Sequence, residues 1–179
     1  MQNPFTEKYI EDKTDEDFIS KSVTGNKLAL EELVKRHQDW IYNIAVRMVF
    51  NPDDAKDVTQ EVLIKIITKL SSFKFESSFR TWVYRIVINH ILNLKKIPAE
   101  KIYDTNFEQY GKSIDNCPDF EIHSEMNLGF NADAVTEEVK LSCMYGMLLC
   151  LDREQRMVFI FGSLFGVTDK IGAELLEIS

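Results

Sequence analysis

At 179 residues the chain has room for one or two domains and is long enough to bury a core. Its 45% apolar and 28% charged residues are ordinary for a globular protein, and no run approaches the roughly 18 apolar residues that a membrane span needs. A net charge of −8 argues, at the level of the whole chain, against a partner as acidic as nucleic acid.

Glycine and proline are scarce, and apolar residues fall at helical spacing almost throughout, so the chain is expected to be all-α. A first helix is predicted from Thr14, where Thr14, Asp15, Glu16 and Asp17 form a cap with acids in the first turn, to Gly25 and Asn26. A second runs from about Leu28 to Phe50, with Leu30, Leu33, Val34, Trp40, Ile41, Ile44, Ala45, Met48 and Val49 as one apolar stripe. Asn51 and Pro52 stop it and open the next, Asn51 as cap and Pro52 as first helical residue. That third helix extends to about Leu70, with Ala55, Val58, Val62, Leu63, Ile66, Ile67 and Leu70 directed inward. A loop rich in Phe and Ser follows, then a helix from about Arg80 to Lys96 ahead of Pro98. The stretch 99–133 is acidic and aperiodic and reads as a linker with limited structure. Beyond it, helices are expected over 136–151, over 153–165 up to Gly166, and from Thr168 through Leu176. The expected organisation is two small helical domains, 14–97 (a three- or four-helix bundle) and 135–179, joined by an acidic linker, 98–134.

The charge is unevenly spread. Lys65, Lys69, Lys74, Arg80, Arg85, Lys95 and Lys96 face one acid, Glu76, giving +6 over 65–96, whereas 97–140 carries −7. A local basic stripe fits a nucleic-acid partner, and a solvated helix face fits it too. On the third helix Asp53, Asp57, Gln60 and Glu61 share a face, with Asp54 beside it. That face suits plain exposure to water or a basic partner surface. Phe73, Lys74, Phe75, Phe79, Arg80, Trp82, Tyr84 and Arg85 interleave aromatics with cations, the composition of a platform for single-stranded nucleic acid. Phe79 and Trp82, at a helix start, also suit a core. Asn89 with Lys95 and Lys96 could meet a base edge and phosphates.

Catalytic signals are missing from the sequence. It holds no Gly-rich phosphate loop or nucleophile elbow, and His37, His90 and His123 lack metal-ligand spacing. Cys117, Cys143 and Cys150 read as free thiols of a reducing cytosol. The chain is therefore expected to be a cytoplasmic non-enzyme with no cofactor, no metal and no membrane insertion. The polar, acidic start, Met1 to Asp17, is unlike a secretory signal.

Taken in order, four segments resemble the extracytoplasmic-function (ECF) group of the sigma-70 family. Residues 33–42 are similar to the start of sigma region 2, 51–62 to its polymerase-binding helix, 79–86 to its promoter-melting segment, and 151–159 to the start of region 4. The resemblance implies that Asp54, Asp57, Gln60 and Glu61 bind the clamp helices of the largest subunit of core RNA polymerase. It implies that Phe73–Arg80 helps extrude a base of the −10 element's non-template strand, with Asn89 contributing to the pocket and Arg85, Lys95 and Lys96 holding phosphates. The polymerase flap and an anti-sigma factor are the further partners implied. Region 4 is a helix-turn-helix, and its recognition helix is expected to be missing here, since Glu177 stands where relatives usually have Gly and the chain stops at Ser179. The alternative is a sigma-like regulatory protein that binds polymerase or an anti-sigma factor without initiating transcription.

Overall fold

A computed structural model describes residues 10–94, 106–116, 132–164, 166–167 and 172. The secondary structure among the described residues is helical: α1 (Ile10–Val23), α2 (Lys27–Val49), α3 (Pro52–Lys69) with a 3-10 turn at Leu70–Ser72, α4 (Phe79–Leu92), α5 (Phe107–Asp115), α6 (Ala132–Leu149) and α7 (Arg153–Phe159), which runs on as a π-helical turn at Ile160–Leu164. The chain forms two compact units. One comprises Met1–Ile97 with Arg153–Ser179, the other Pro98–Asp152. These lines differ from the division expected at 97 and 135, because α7 packs with the first bundle.

Local side chains set the helix starts. The Asn26 side chain accepts from the Ala29 amide, Asn51 accepts from both Asp53 (2.8 Å) and Asp54 (3.1 Å), and Ser78 accepts from Thr81. Each such cap contributes about 1 kcal/mol. Gly25 takes φ +94 and the Asn26 amide reaches back to the Lys21 carbonyl, the hydrogen-bonding pattern that ends α1 with a left-handed residue.

The first unit's core is an interdigitation of Ile41, Ile44, Ala45 and Met48 from α2, Ala55 and Val62 from α3, Val83, Val87, Ile88 and Ile91 from α4, and Met157 and Ile160 from the C-terminal segment. Ile19 of α1 is buried with them. Two arginines of α7 bind helix ends. Arg156 is buried, donates to the Met48 carbonyl at 3.1 Å near the end of α2, and lies over the Phe50 ring. Arg153 donates to the carbonyls of Ile91, Leu92 and Leu94. Cationic donors there satisfy carbonyls that lack helical partners and complement the helix dipoles.

A chain of buried polar groups crosses this apolar core. The Trp40 indole N–H donates to His37 Nδ1 at 3.0 Å. An indole is only a donor, so Nδ1 is the acceptor and the ring proton sits on Nε2. His37 Nε2 therefore donates to Asp15 Oδ2, also at 3.0 Å, tying α1 to α2. Arg36 lies 3.5 Å from the other oxygen of Asp15.

Several expectations are corrected. Helix α1 begins at Ile10 rather than Thr14. Ile67, expected inward, is 38% exposed, because five residues past Val62 it has turned about 140° away from the core. Helix α4 ends at Leu92 rather than Lys96, where Asn93 Nδ2 donates back to the Asn89 carbonyl and Arg153 takes the next carbonyls. The linker contains α5: Asn106 caps it, Glu108 and Lys112 pair along it, and the Tyr110 hydroxyl donates to the Cys143 carbonyl of α6. Gly146 makes that approach possible, since a Cβ there would run into the Tyr110 ring. The helix expected over 168–176 lies outside the described residues, apart from residue 172.

Replacing His37 with Leu should leave the Trp40 N–H and the Asp15 carboxylate buried without their partner, lowering stability by about 3 kcal/mol. Urea unfolding checks this, and a loss below about 1 kcal/mol would show that water or rearrangement replaces the bonds.

Candidate functional site

Helix α3 carries two faces. Ala55, Val58, Thr59, Val62 and Ile66 are buried, and the Thr59 hydroxyl is satisfied by the Ala55 carbonyl at 2.6 Å. Asp53, Asp57, Gln60 and Glu61 are exposed on the outer face, and Asp54 is half-buried beside them. The acids Asp53 and Asp54 stand in the first turn, where the helix N-terminus favours negative charge. A hydrogen bond from Lys56 at 2.9 Å, then its charge, holds the Asp53 carboxyl below the usual carboxylate range. The outer face then turns apolar: Ile64 is 60% exposed one turn beyond Gln60, followed by Ile67.

The loop between α3 and α4 is organised by rings. Phe73 is buried at its centre, with centroids 4.7 Å from Phe75, 5.5 Å from Phe79 and 5.4 Å from Trp82. Phe79 stacks on Trp82 at an interplanar angle of 26° and takes the edge of His37 on its other contact. Trp40 meets Tyr84, and Tyr84 meets Phe161. The cluster thus fixes the loop to α2, α4 and the C-terminal segment of the same unit.

Phe75 is the exception. It is half exposed, and its backbone sits at φ +59. The left-handed region costs a residue with a Cβ about 1–2 kcal/mol, and held strain of this kind concentrates at functional sites. Two recesses flank this loop. The larger, about 490 Å³, is lined by Lys74, Trp82, Arg85, Ser72, Ser77 and Glu76 over Phe73. The smaller, about 330 Å³, lies among Glu16, Phe75, Glu76, Ser77, Ser78 and Phe79. An indole edge, two cations and hydroxyls around one recess suit a flat, hydrogen-bonding group attached to an anion, which describes a nucleotide.

The expected contact residues therefore fall into three sets. Lys74, Phe75, Arg80, Trp82, Arg85 and Asn89 are exposed or partly exposed on the loop and α4. Phe73, Phe79 and Tyr84 are buried, and as packed they support the surface rather than form it, because rings of that size are costly to leave in water. Lys95 and Lys96 lie outside the described residues. The sequence reading did not single out His90. It is buried on α4 with its ring between Lys65 and Glu61 of α3. No group of His, Cys, Asp and Glu that could hold a metal ion occurs among the described residues, and none of the described helices is long and apolar enough to cross a membrane.

Residues 33–96, from α2 past the end of α4, match sigma-70 region 2. The chain is 38% identical over 79 residues to the RNA polymerase sigma-H factor of Pseudomonas aeruginosa, covering 44% of this chain and 41% of that protein. It is 26% identical over 161 residues to the ECF RNA polymerase sigma factor SigE of Mycolicibacterium smegmatis, covering 82% of this chain and 62% of the relative. The matches thus take in less than two thirds of either relative's length. In fold, it is similar to a solved structure of CnrH in complex with the cytosolic domain of CnrY, with a TM-score of 0.62 at 19% identity, over 93% of this chain and 84% of the other.

Exposed Phe75 and buried Phe79 should respond oppositely to truncation. Phe75→Gly should change the unfolding free energy by no more than about 1 kcal/mol, since relief of the left-handed backbone offsets the lost ring contact. Phe79→Ala should cost about 3–5 kcal/mol. Chemical unfolding of both variants checks this, and equal losses would show that Phe75 is a core residue.

Proposed function

This chain belongs to the ECF group of the sigma-70 family, and on that premise we propose that it binds core RNA polymerase and directs promoter-specific initiation by recognising and melting the −10 element, with no catalysis of its own. The observation that carries the reading is a juxtaposition. An acidic face on α3 and an aromatic, basic loop with α4 occupy successive elements of the bundle that matches region 2.

In this reading Asp54, Asp57, Gln60 and Glu61 dock on the clamp helices of the largest polymerase subunit, where their negative charge calls for a basic partner surface. The non-template strand of the −10 element meets the other side. Phe75 and Trp82 offer ring surface, Lys74, Arg80 and Arg85 offer positive charge, and Asn89 an amide for a base edge. Extruding a base costs a few kcal/mol, and stacking at roughly 1–3 kcal/mol per base can offset it. Phe73, Phe79 and Tyr84 hold that surface in shape. Lys95 and Lys96 complete the +6 block, which would let an acidic protein meet DNA locally. Residues 14–97 act as the polymerase and −10 module, 98–134 as the connecting linker, and 135–179 as the region 4 portion that meets the polymerase flap. CnrH, the structural relative, is held in a complex with the cytosolic domain of CnrY. An anti-sigma partner of this chain belongs to the same proposal.

Run-off transcription with core polymerase and promoter DNA should yield a promoter-specific transcript only when the chain is added. Binding to polymerase without a transcript would favour a regulator that does not initiate. Asp57→Lys should weaken capture of core polymerase at least about tenfold, because it sets like charges against each other. Unaltered capture would remove α3 as the docking face.

A further inference from the structure

Along the described helices, acids and lysines at helical spacing pair with each other. Asp17 and Lys21 meet at 2.6 Å, Glu31 and Lys35 at 2.7 Å, and Glu108 and Lys112 at 2.6 Å, all four residues apart. Glu61 and Lys65 of α3 have the same spacing and the favoured order, acid before base. Among the described residues they form no direct ion pair. The ring of His90, from α4, stands between them.

The chemistry of the three groups orients the ring. Lys65 Nζ meets His90 Nδ1. An ammonium only donates, so Nδ1 accepts and the ring proton is on Nε2. Nε2 lies 3.3 Å from Glu61 Oε2 and is otherwise buried without a hydrogen-bond partner. A neutral imidazole thus accepts from the lysine at one end, while its Nε2 proton at the other end lies near the Glu61 carboxylate without a hydrogen bond to it. The side chain of His90 is 6% exposed, and that of Glu61 is 62% exposed on the acidic face.

We infer that His90 is a positioning residue for the docking face: its ring holds Lys65 away from Glu61, which leaves the Glu61 carboxylate turned outward for a cation on the partner. The inference rests on the reading of α3 as the polymerase-docking surface. Without the ring, Lys65 closes onto Glu61 as the other lysines do onto their acids, and the docking face loses a negative charge. The charged groups facing the ring are Lys65 and Glu61 from α3, while Arg153 of α7 lies beyond it on the carbonyls that end α4. Burial, then the Lys65 charge, pushes the His90 pKa below its ordinary 6.5, and Glu61 opposes them. The neutral ring is therefore the working form at neutral pH. Protonation puts a hydrogen on Nδ1 and expels Lys65, so docking should weaken only as pH falls below about 6.5.

The test is the affinity of the full chain for core polymerase across pH, for wild type, His90→Leu, His90→Gln, His90→Leu with Lys65→Met, and Glu61→Gln. His90→Leu should bind about three- to fivefold more weakly near neutral pH, the scale of one exposed ion pair. Adding Lys65→Met should restore affinity, since nothing is left to neutralise Glu61. His90→Gln should bind like wild type, its amide oxygen accepting from Lys65 and its amide N–H donating to Glu61, but without the decline on acidification. Nitrogen NMR of the His90 ring should show Nδ1 unprotonated at neutral pH. Unchanged binding by His90→Leu, with Glu61→Gln weakened, would overturn the positioning role and leave the docking face standing. Loss that Lys65→Met fails to restore would reduce His90 to a packing residue and overturn the inference. No effect of Glu61→Gln would overturn the docking reading and this inference with it.

Discussion

His37 stands where α1, α2 and the start of α4 meet. Its ring accepts a hydrogen bond from Trp40, donates one to Asp15, and makes an edge contact with Phe79. Both nitrogens are used, in one tautomer, inside a cluster of rings. An apolar side chain would leave the buried indole N–H without a partner and the buried Asp15 carboxylate with Arg36 alone, and a protonated ring would set two N–H groups against each other at Nδ1. The constraint propagates. Phe79 is the first residue of α4, it stacks on Trp82, and both rest on Phe73, the buried pivot of the loop. The shape of the surface proposed to bind the strand thus follows from a hydrogen-bonded chain one layer beneath it.

A second principle is the separation of charge by face. Helix α3 keeps its acids on the outside of its N-terminal half, where the helix dipole favours them and where the Asn51 cap secures the first turn. Lys74 of the loop and Arg85 of α4 line the recess beside Trp82. Arg153 and Arg156 go to backbone carbonyls at the ends of α4 and α2, so these two positive charges serve the fold. Net charge averages over these arrangements and misses each of them.

Much of the bundle was legible because its signals are local. Asn51 and Pro52 mark a boundary through the cap and the fixed proline φ, and the stripe from Leu33 to Val49 shows which face of α2 is covered. The acidic face of α3 follows from spacing alone. What was illegible depends on contacts distant in sequence. Asp15, His37, His90 and Arg156 are polar residues whose burial is tolerable only because of partners up to 108 positions away. Phe73, Phe75, Phe79 and Tyr84 are all aromatics of one segment, and only packing separates the exposed ring from the supporting ones. Helix α5 carried a signal that was passed over, a capping Asn106 and a Glu108–Lys112 pair within an acidic stretch. His90 carried none, since its meaning lies in the unfinished pairing of two residues on another helix.

The central claim is that one bundle meets polymerase with α3 and the open strand with its loop and α4, as separable surfaces. It is tested most directly by measuring fluorescence anisotropy of a labelled −10 non-template oligonucleotide with polymerase saturated by wild type, Phe75→Ala or Trp82→Ala, alongside each variant's affinity for polymerase itself. The account predicts that both variants bind polymerase like wild type and hold the strand at least about fivefold more weakly, the lower end of a lost stacking contact. Equal losses for polymerase and strand, or strand affinity unchanged by both, would contradict it.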